Sequence, residues 1–263
     1  MDIGDLMVLF RGDVKCKSLQ RRTSISVILP SDNIHFLQDA EEIVSQPYKT
    51  LYLLHGLYGS DDIFLANTSI QKFAEDHGIA IVIPCGDNSF YVDNPKAHAY
   101  YGEYVGEELL DITRNIFPLS DKREDTYIAG FSMGGYGAIR NGLKYSHNFS
   151  KIGMISSALI TDDIVDYTSD DNVLRSREFY ESIFGNLEEI ENSDMDPKHL
   201  IETCMDIPDI FMACGTDDFL YEKNVDFHDF LKSKGIDATF VEASGEHTWE
   251  FCDKYIKEFI KTL

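Results

Sequence analysis

Residues 126–137 read TYIAGFSMGGYG, and the fold is decided there. A β-rich run over residues 126–131 leads straight into Ser132, and a helical pattern follows over residues 134–145. Gly130, Ser132 and Gly134 form G-x-S-x-G, in which a serine occupies a sharp turn between a strand and a helix and presents its hydroxyl as a nucleophile. Small flanking residues let the backbone turn that tightly. The three fixed positions recur by chance in many chains, so the weight falls on placement: this copy follows a strand and opens a helix, as the chemistry requires. Gly135-Tyr136-Gly137 also begins a G-x-G-x-x-G dinucleotide loop, but Arg140 stands where the third glycine should be. The sequence contains neither Gly-Lys-Ser/Thr nor H-E-x-x-H, which sets aside a phosphate cradle and a zincin.

Outward from this turn, strand-like runs alternate with amphipathic segments along almost the whole chain. Strands are expected at residues 6–10, 23–29, 50–54, 79–83, 126–131, 152–156, 210–214 and 238–242, and helices at 69–77, 103–116, 134–145, 220–234 and 249–262. The first two strands have no helix between them and suggest an antiparallel pair. The others need parallel crossovers, and their nearly continuous apolar runs suit strands covered on both faces. The expected architecture is α/β: a doubly wound, mostly parallel sheet of about eight strands with helices on both faces. Residues 1–263 are expected to form one domain, with an acidic, cap-like insertion at about 161–207. Within residues 161–196 there are 12 acids and two bases; such a run is expected to face water.

A serine hydroxyl needs a base, and the base needs a carboxylate to orient it; in this architecture the chain order is serine, acid, histidine. Four histidines follow Ser132: His147, His199, His228 and His247. The first ends the helix that starts at the serine, the second lies in the acidic insertion and the third is in mid-helix. His247 alone falls in a loop between the last strand and the last helix, at the carboxyl edge where open α/β sheets build their sites. The acid should follow the preceding strand at the same edge, where Asp217 and Asp218 are adjacent. Either could instead cap the next helix, and the chemistry alone does not choose between them. The backbone N–H of Met133, after the nucleophile, and that of Leu57, in the loop His55-Gly56-Leu57 after the third strand, are the expected oxyanion donors. His55 is expected to bond the loop backbone. Phe90, Tyr91, Tyr100, Tyr101 and Trp249 fall in loops that could wall a narrow pocket, with Tyr91 and Trp249 as the candidate substrate contacts.

Composition limits the partners. With 46 acidic against 23 basic residues the formal net charge of the 263-residue chain is −23, which opposes binding to nucleic acid or to anionic lipid. An apolar content of 43% supplies a core. No apolar run approaches the roughly 18–20 residues of a membrane span, and the start, MDIGDLMVLF, carries acids where a signal peptide needs bases. Five scattered cysteines with no C-x-x-C spacing favour neither a disulfide framework nor a zinc site. A cytoplasmic location, a small-molecule ester as partner and no membrane or nucleic-acid partner are expected, and the oligomeric state is left open.

The stretches LLHGLYGS (53–60), NSFYVDN (88–94), GFSMGGYGA (130–138), CGTDDFLY (214–221) and EHTWEF (246–251) resemble the esterase D-type esterases of the α/β-hydrolase fold, most closely the tributyrin esterases of Gram-positive bacteria. The resemblance covers nearly the whole chain, from about Arg21 onward. It implies cofactor-free and metal-free hydrolysis of short-chain acyl esters through an acyl-enzyme intermediate, with Ser132 as nucleophile and His247 as base. It also implies Asp218, rather than Asp217, as the acid, and Leu57 and Met133 as oxyanion donors. Glu246 stands where the family often has glycine before the histidine, and residues 161–207 match poorly. Related branches hydrolyse S-formylglutathione or remove acetyl and feruloyl groups from polysaccharides, and a binding protein that kept the scaffold is a further alternative, so the triad specifies chemistry and not substrate.

Overall fold

The computed structural model describes residues 8–30, 47–166 and 176–263. Strands β1 (Val8–Cys16) and β2 (Arg21–Leu29) form a hairpin, followed by β3 (Thr50–Leu54), helices α1 (Ile63–Asn67) and α2 (Ile70–Asp76), and β4 (Ala80–Pro84). A short ribbon, β5 (Asp93–Asn94) and β6 (Ala99–Tyr100), precedes a helical run made of α3 (Tyr101–Glu103), a π-turn (Tyr104–Glu108) and α4 (Leu109–Ile116). Then come β7 (Thr126–Phe131), α5 (Met133–Lys144), β8 (Lys151–Ile155), α6 (Arg177–Phe184), α7 (Pro197–Thr203), β9 (Asp209–Gly215), α8 (Tyr221–Ser233), β10 (Ala238–Ala243) and α9 (Trp249–Ile260).

One eight-stranded sheet runs in the order β1-β2-β4-β3-β7-β8-β9-β10. Pairing is antiparallel from β1 to β2 and from β2 to β4, and parallel from β4 onward. Every residue of β3, β4 and β7 is buried, as strands covered on both faces must be. Alternate side chains feed two cores, because successive residues of a strand point to opposite faces. Tyr52, Leu54, Val82, Ile128 and Ile152 pack on the side of α4, α5 and α8, and Leu51, Leu53, Ile81, Ala129 and Phe211 on the side of α2 and α9. The chain therefore passes from one face to the other between β4 and β7, and the carboxyl ends of β3, β7, β9 and β10 open at one edge of the sheet.

The sequence places the other strands within a residue or two, but β1 differs. It was expected at residues 6–10 and instead runs to Cys16, in register from Val8 opposite Leu29 to Cys16 opposite Arg21; residues 6 and 7 lie outside the described part. Five consecutive exposed positions, Leu9 to Asp13, hide the strand from any reading based on hydrophobic periodicity. An edge strand paired on one side tolerates charge on both faces. The β5-β6 ribbon and helices α1, α6 and α7 were not expected, since each is a short element whose partners are remote in sequence.

Within the acidic segment, residues 167–175, including Asp170 and Asp171, lie outside the described part. Several of the described acids are bound to the fold. Asp194 accepts from Arg140 Nη2 (2.5 Å) and Lys144 Nζ (2.6 Å), and the same two cations reach Asp93 at 3.4 and 3.0 Å. This knot fastens α5, the helix that starts beside Ser132, to the ribbon and to the insertion. Burial by itself would raise the Asp93 and Asp194 carboxyls, but Arg140 and Lys144 outweigh it and hold both below the ordinary value. The stabilisation is therefore complete above the unfolded-chain value of about 3.9 and is lost as pH falls through the lower folded values. Arg140 is fully buried, so Arg140→Met should destabilise the protein by about 3–5 kcal/mol at pH 7. Thermal melts should show the gap to wild type constant from pH 7 down to about 4 and closing below that, and a gap independent of pH would contradict this account.

Candidate active site

The turn at Ser132 is built by what its neighbours lack. A Cβ on Gly130 would lie 2.2 Å from the Gly134 carbonyl carbon, and one on Gly134 would lie 2.0 Å from the Leu54 carbonyl oxygen. Glycine at both positions lets α5 start directly against the ends of β7 and β3. Ser132 itself sits at φ 58° and ψ −119°, a conformation that a non-glycine residue holds only where the surroundings impose it. Here its N–H donates to the Ile155 carbonyl (3.0 Å) and its carbonyl accepts from Ala158 (3.0 Å), Gly135 (3.0 Å) and Tyr136 (3.2 Å).

His247 follows β10 and brings its ring to the same cavity as Ser132. Its Nδ1–H donates to Asp218 Oδ2 at 2.8 Å. An ionised carboxylate only accepts, so this bond fixes the tautomer and leaves Nε2 to take a proton. The imidazole lies stacked on Phe131, with centroids 4.6 Å apart, and beside Phe219 at 4.8 Å. The Asp218 side chain is fully buried. Burial alone would raise its pKa, but hydrogen bonds from His247 and the Leu220 N–H prevail and hold it below the usual carboxylate value.

The neighbouring Asp217 is exposed. Its Oδ2 accepts from the Gly245 N–H at 3.3 Å and lies 3.4 Å from Ser244 Oγ. It thus braces the loop that carries His247 without touching the imidazole. The tertiary contact that separates the two aspartates is invisible in a D-D dipeptide.

The loop after β3 approaches from the other side: a Cβ on Gly56 would sit 3.2 Å from Ser132 Cβ. Neither the Leu57 N–H nor the Met133 N–H is taken by a described backbone carbonyl; the latter is one of the free donors that open a helix. His55 is fully buried, its Nδ1–H donating to the Gly56 carbonyl (2.7 Å) and its Nε2 accepting from the Gly86 N–H (2.8 Å). Burial pushes its pKa below the ordinary histidine value, so the ring is neutral and serves the loop backbone, as expected from the sequence.

The cavity measures about 410 Å³ and is lined by Ser132 and His247 together with Leu57, Tyr58, Phe90, Phe131, Tyr180, Phe219 and Trp249, among others. Trp249 and Phe90 therefore stand where the sequence placed them. Tyr91 does not, which corrects its assignment as a substrate contact. Its ring is buried on the far side of the 86–91 loop, and its hydroxyl donates to the His55 carbonyl at 3.0 Å. Together with the Tyr58 N–H, which donates to Asn88 Oδ1 at 2.9 Å, it ties that loop to the Leu57 loop. Tyr100 and Tyr101 also lie off the cavity. Phe90 and Tyr91 are consecutive residues at φ 52° and 55°, and this backbone reversal sends one ring into the cavity and the other away. No sequence signal shows it.

Phe131, Tyr180 and Phe219 were missed as lining residues. Two of them neighbour motif positions, and Tyr180 belongs to the unexpected helix α6. Among the described lining residues there is no Lys, Arg, Asp or Glu, so none of the described acids of the insertion lines the cavity. Among the described residues no group of three or more His, Cys, Asp or Glu side chains could hold a metal ion. No described helix is long and apolar enough to cross a membrane.

Comparison with known proteins gives a consistent picture. The profile of a family described as "Putative esterase" matches residues 16–260. An acetyl esterase of Caldicellulosiruptor saccharolyticus is 42% identical over 257 residues, which cover 95% of this chain and 96% of that protein. Among solved structures, the substrate-bound fluorophosphonate-binding serine hydrolase F (FphF) of Staphylococcus aureus is similar at a TM-score of 0.85 and 32% identity, covering 97% of this chain and 98% of that one. The S-formylglutathione hydrolase (FrmB) of the same organism is similar at 0.84 and 32%, with 98% of each chain covered.

Proposed function

The chain belongs to this esterase family, and from that premise we propose that it is a serine carboxylesterase that removes short acyl groups from neutral esters. The single observation that carries the reading is the 2.8 Å bond from His247 to a buried Asp218, in a cavity shared with a serine on a strained strand-to-helix turn. Ser132 Oγ attacks the carbonyl carbon while His247 Nε2 takes its proton, and the oxyanion that forms is received by the N–H groups of Leu57 and Met133. The imidazolium then protonates the departing alcohol. Water, activated by the same imidazole, hydrolyses the acyl-enzyme and frees Ser132. Each step moves one proton between oxygen and His247, and no further group is needed. The similarity to an S-formylglutathione hydrolase supports a second reading in which a thiolate leaves instead. The absence of a cation from the described lining favours the neutral ester over a substrate that carries carboxylates.

Residues 161–207 act in this reading as a cap on a single domain, supported by Tyr180 of α6 in the cavity wall. A cytoplasmic setting fits five cysteines that are all free thiols. The test is a series of p-nitrophenyl esters from acetate to laurate, with S-formylglutathione as a further substrate. Each methylene buried in the apolar wall should raise kcat/KM by about fourfold until the cavity is full, so the rise should stop near butyrate. A rise that continues to laurate, or a thioester preferred over butyrate, would overturn the assignment.

A further inference from the structure

Two of the large apolar side chains that the described fold leaves exposed, Tyr58 at 69% and Phe219 at 67%, line the cavity that holds Ser132 and His247. A ring that is exposed and also lines a cavity stands at its rim. The turn that presents Phe219 is held firmly: the Asp218 N–H donates to the Gly215 carbonyl at 3.1 Å, the Tyr221 N–H to the Asp218 carbonyl at 2.9 Å and the Leu220 N–H to Asp218 Oδ1 at 2.9 Å. Asp218 and Leu220 on either side are buried, whereas the Phe219 ring stays at the surface, its centroid 4.8 Å from that of the His247 imidazole and tilted by 49°.

The chemistry assigns the two halves of an ester to different places. When the tetrahedral intermediate collapses, the C–O bond to the alcohol breaks and its electron pair stays on the alcohol oxygen. That oxygen takes the proton from His247 Nε2, so a neutral alcohol leaves and Ser132 keeps the acyl group. The leaving oxygen must therefore lie within about 2.6–3.2 Å of Nε2, and the carbon skeleton of the alcohol begins one bond further, beside the imidazole and within reach of Phe219. Apart from Ser132 and His247, the described lining offers as polar side-chain groups only the Tyr58 and Tyr180 hydroxyls and the Trp249 N–H. A hydroxyl-rich alcohol would find few partners there, while an apolar ring gains the burial of its own face and that of Phe219.

We propose that Phe219 walls the leaving-group subsite and that the alcohol half of the ester carries an aromatic ring, as a benzyl-type alcohol does. This rests on the reading of the chain as a serine esterase with His247 as the proton donor, and it names the alcohol that this reading left open.

Ethyl and benzyl butyrate pass through the same acyl-enzyme, so the ratio of their kcat/KM values reports the alcohol half alone. Wild type should favour the benzyl ester by about tenfold or more, the order expected for one ring-to-ring contact with its burial. Phe219→Ala, at an exposed position that tolerates substitution, should bring the ratio down by about tenfold, and Phe219→Tyr should keep it within about twofold of wild type. Any support that the ring lends to the imidazole affects both esters alike and cancels in the ratio. With ethanol as the fixed alcohol, the order of preference among acetate, butyrate and hexanoate should be the same in Phe219→Ala as in wild type.

A wild-type enzyme indifferent between the two butyrates, a ratio that survives in Phe219→Ala, or an acetylated monosaccharide turned over faster than benzyl acetate would overturn the proposal. No turnover of any ester, with no fluorophosphonate adduct on wild type, would instead overturn the esterase reading.

Discussion

Ser132→Ala is expected to lower kcat by about 10⁶-fold, because the members of a serine triad act as a unit and the nucleophile cannot be replaced by its neighbours. The residual rate should come from the Leu57 and Met133 amides and from substrate binding, which the substitution leaves in place. Stability should change little. Alanine keeps the Cβ, so the strain at φ 58° is retained and the bonds from the Ser132 backbone to Ile155 and Ala158 are untouched. The check is steady-state turnover of a butyrate ester together with fluorophosphonate labelling followed by intact mass: wild type should gain one adduct and the variant none. Activity within tenfold of wild type, with normal melting, would show that another residue is the nucleophile.

Asp218→Asn is expected to lower kcat by about 10⁴-fold, and Asp217→Asn by less than about tenfold. The asymmetry follows from the two carboxylates' partners. The Asp218 carboxylate is buried and bound to His247 Nδ1, where a carboxamide can present an N–H to the imidazole, select the wrong tautomer and leave the imidazolium without its counter-charge. Asp217 is exposed and accepts weakly from the 244–245 loop, a task that an amide oxygen also performs. Parallel kcat measurements on the two variants decide between them, and a reversed order of severity would move the acid to Asp217.

Much of the fold can be read from the chain because its signals are local. The runs IAIVI and TYIAGF are apolar without a break because both faces of a central parallel strand are covered, and the helices between them announce the crossovers. The edge strand β1 escapes this reading since five successive exposed positions erase the period. The same contrast runs through the site. Ser132 and Met133 are legible because a tight strand-to-helix turn demands glycines at fixed spacing. His247 is legible because few histidines follow the serine and only one falls in a loop at the right sheet edge. Leu57 is legible as the Gly-flanked position after β3.

The sequence by itself determined most of the sheet, the order of its main elements and the candidates for nucleophile and base, each of which depends on residue types within a few positions of one another. The residues by themselves left two adjacent aspartates open, the resemblance pointed to Asp218, and the tertiary structure shows Asp218 as the one that meets the histidine. It also turned Tyr91 away from the cavity and Phe90 into it, and brought Tyr180 from a remote helix to the wall. The physical reason is one of range. Periodicity, turn chemistry and helix starts are set by the backbone near each residue. The rotamer of a carboxylate, the side of a loop on which a ring emerges and the lining of a cavity are set by close packing among segments far apart in the chain, and only the assembled molecule holds that information.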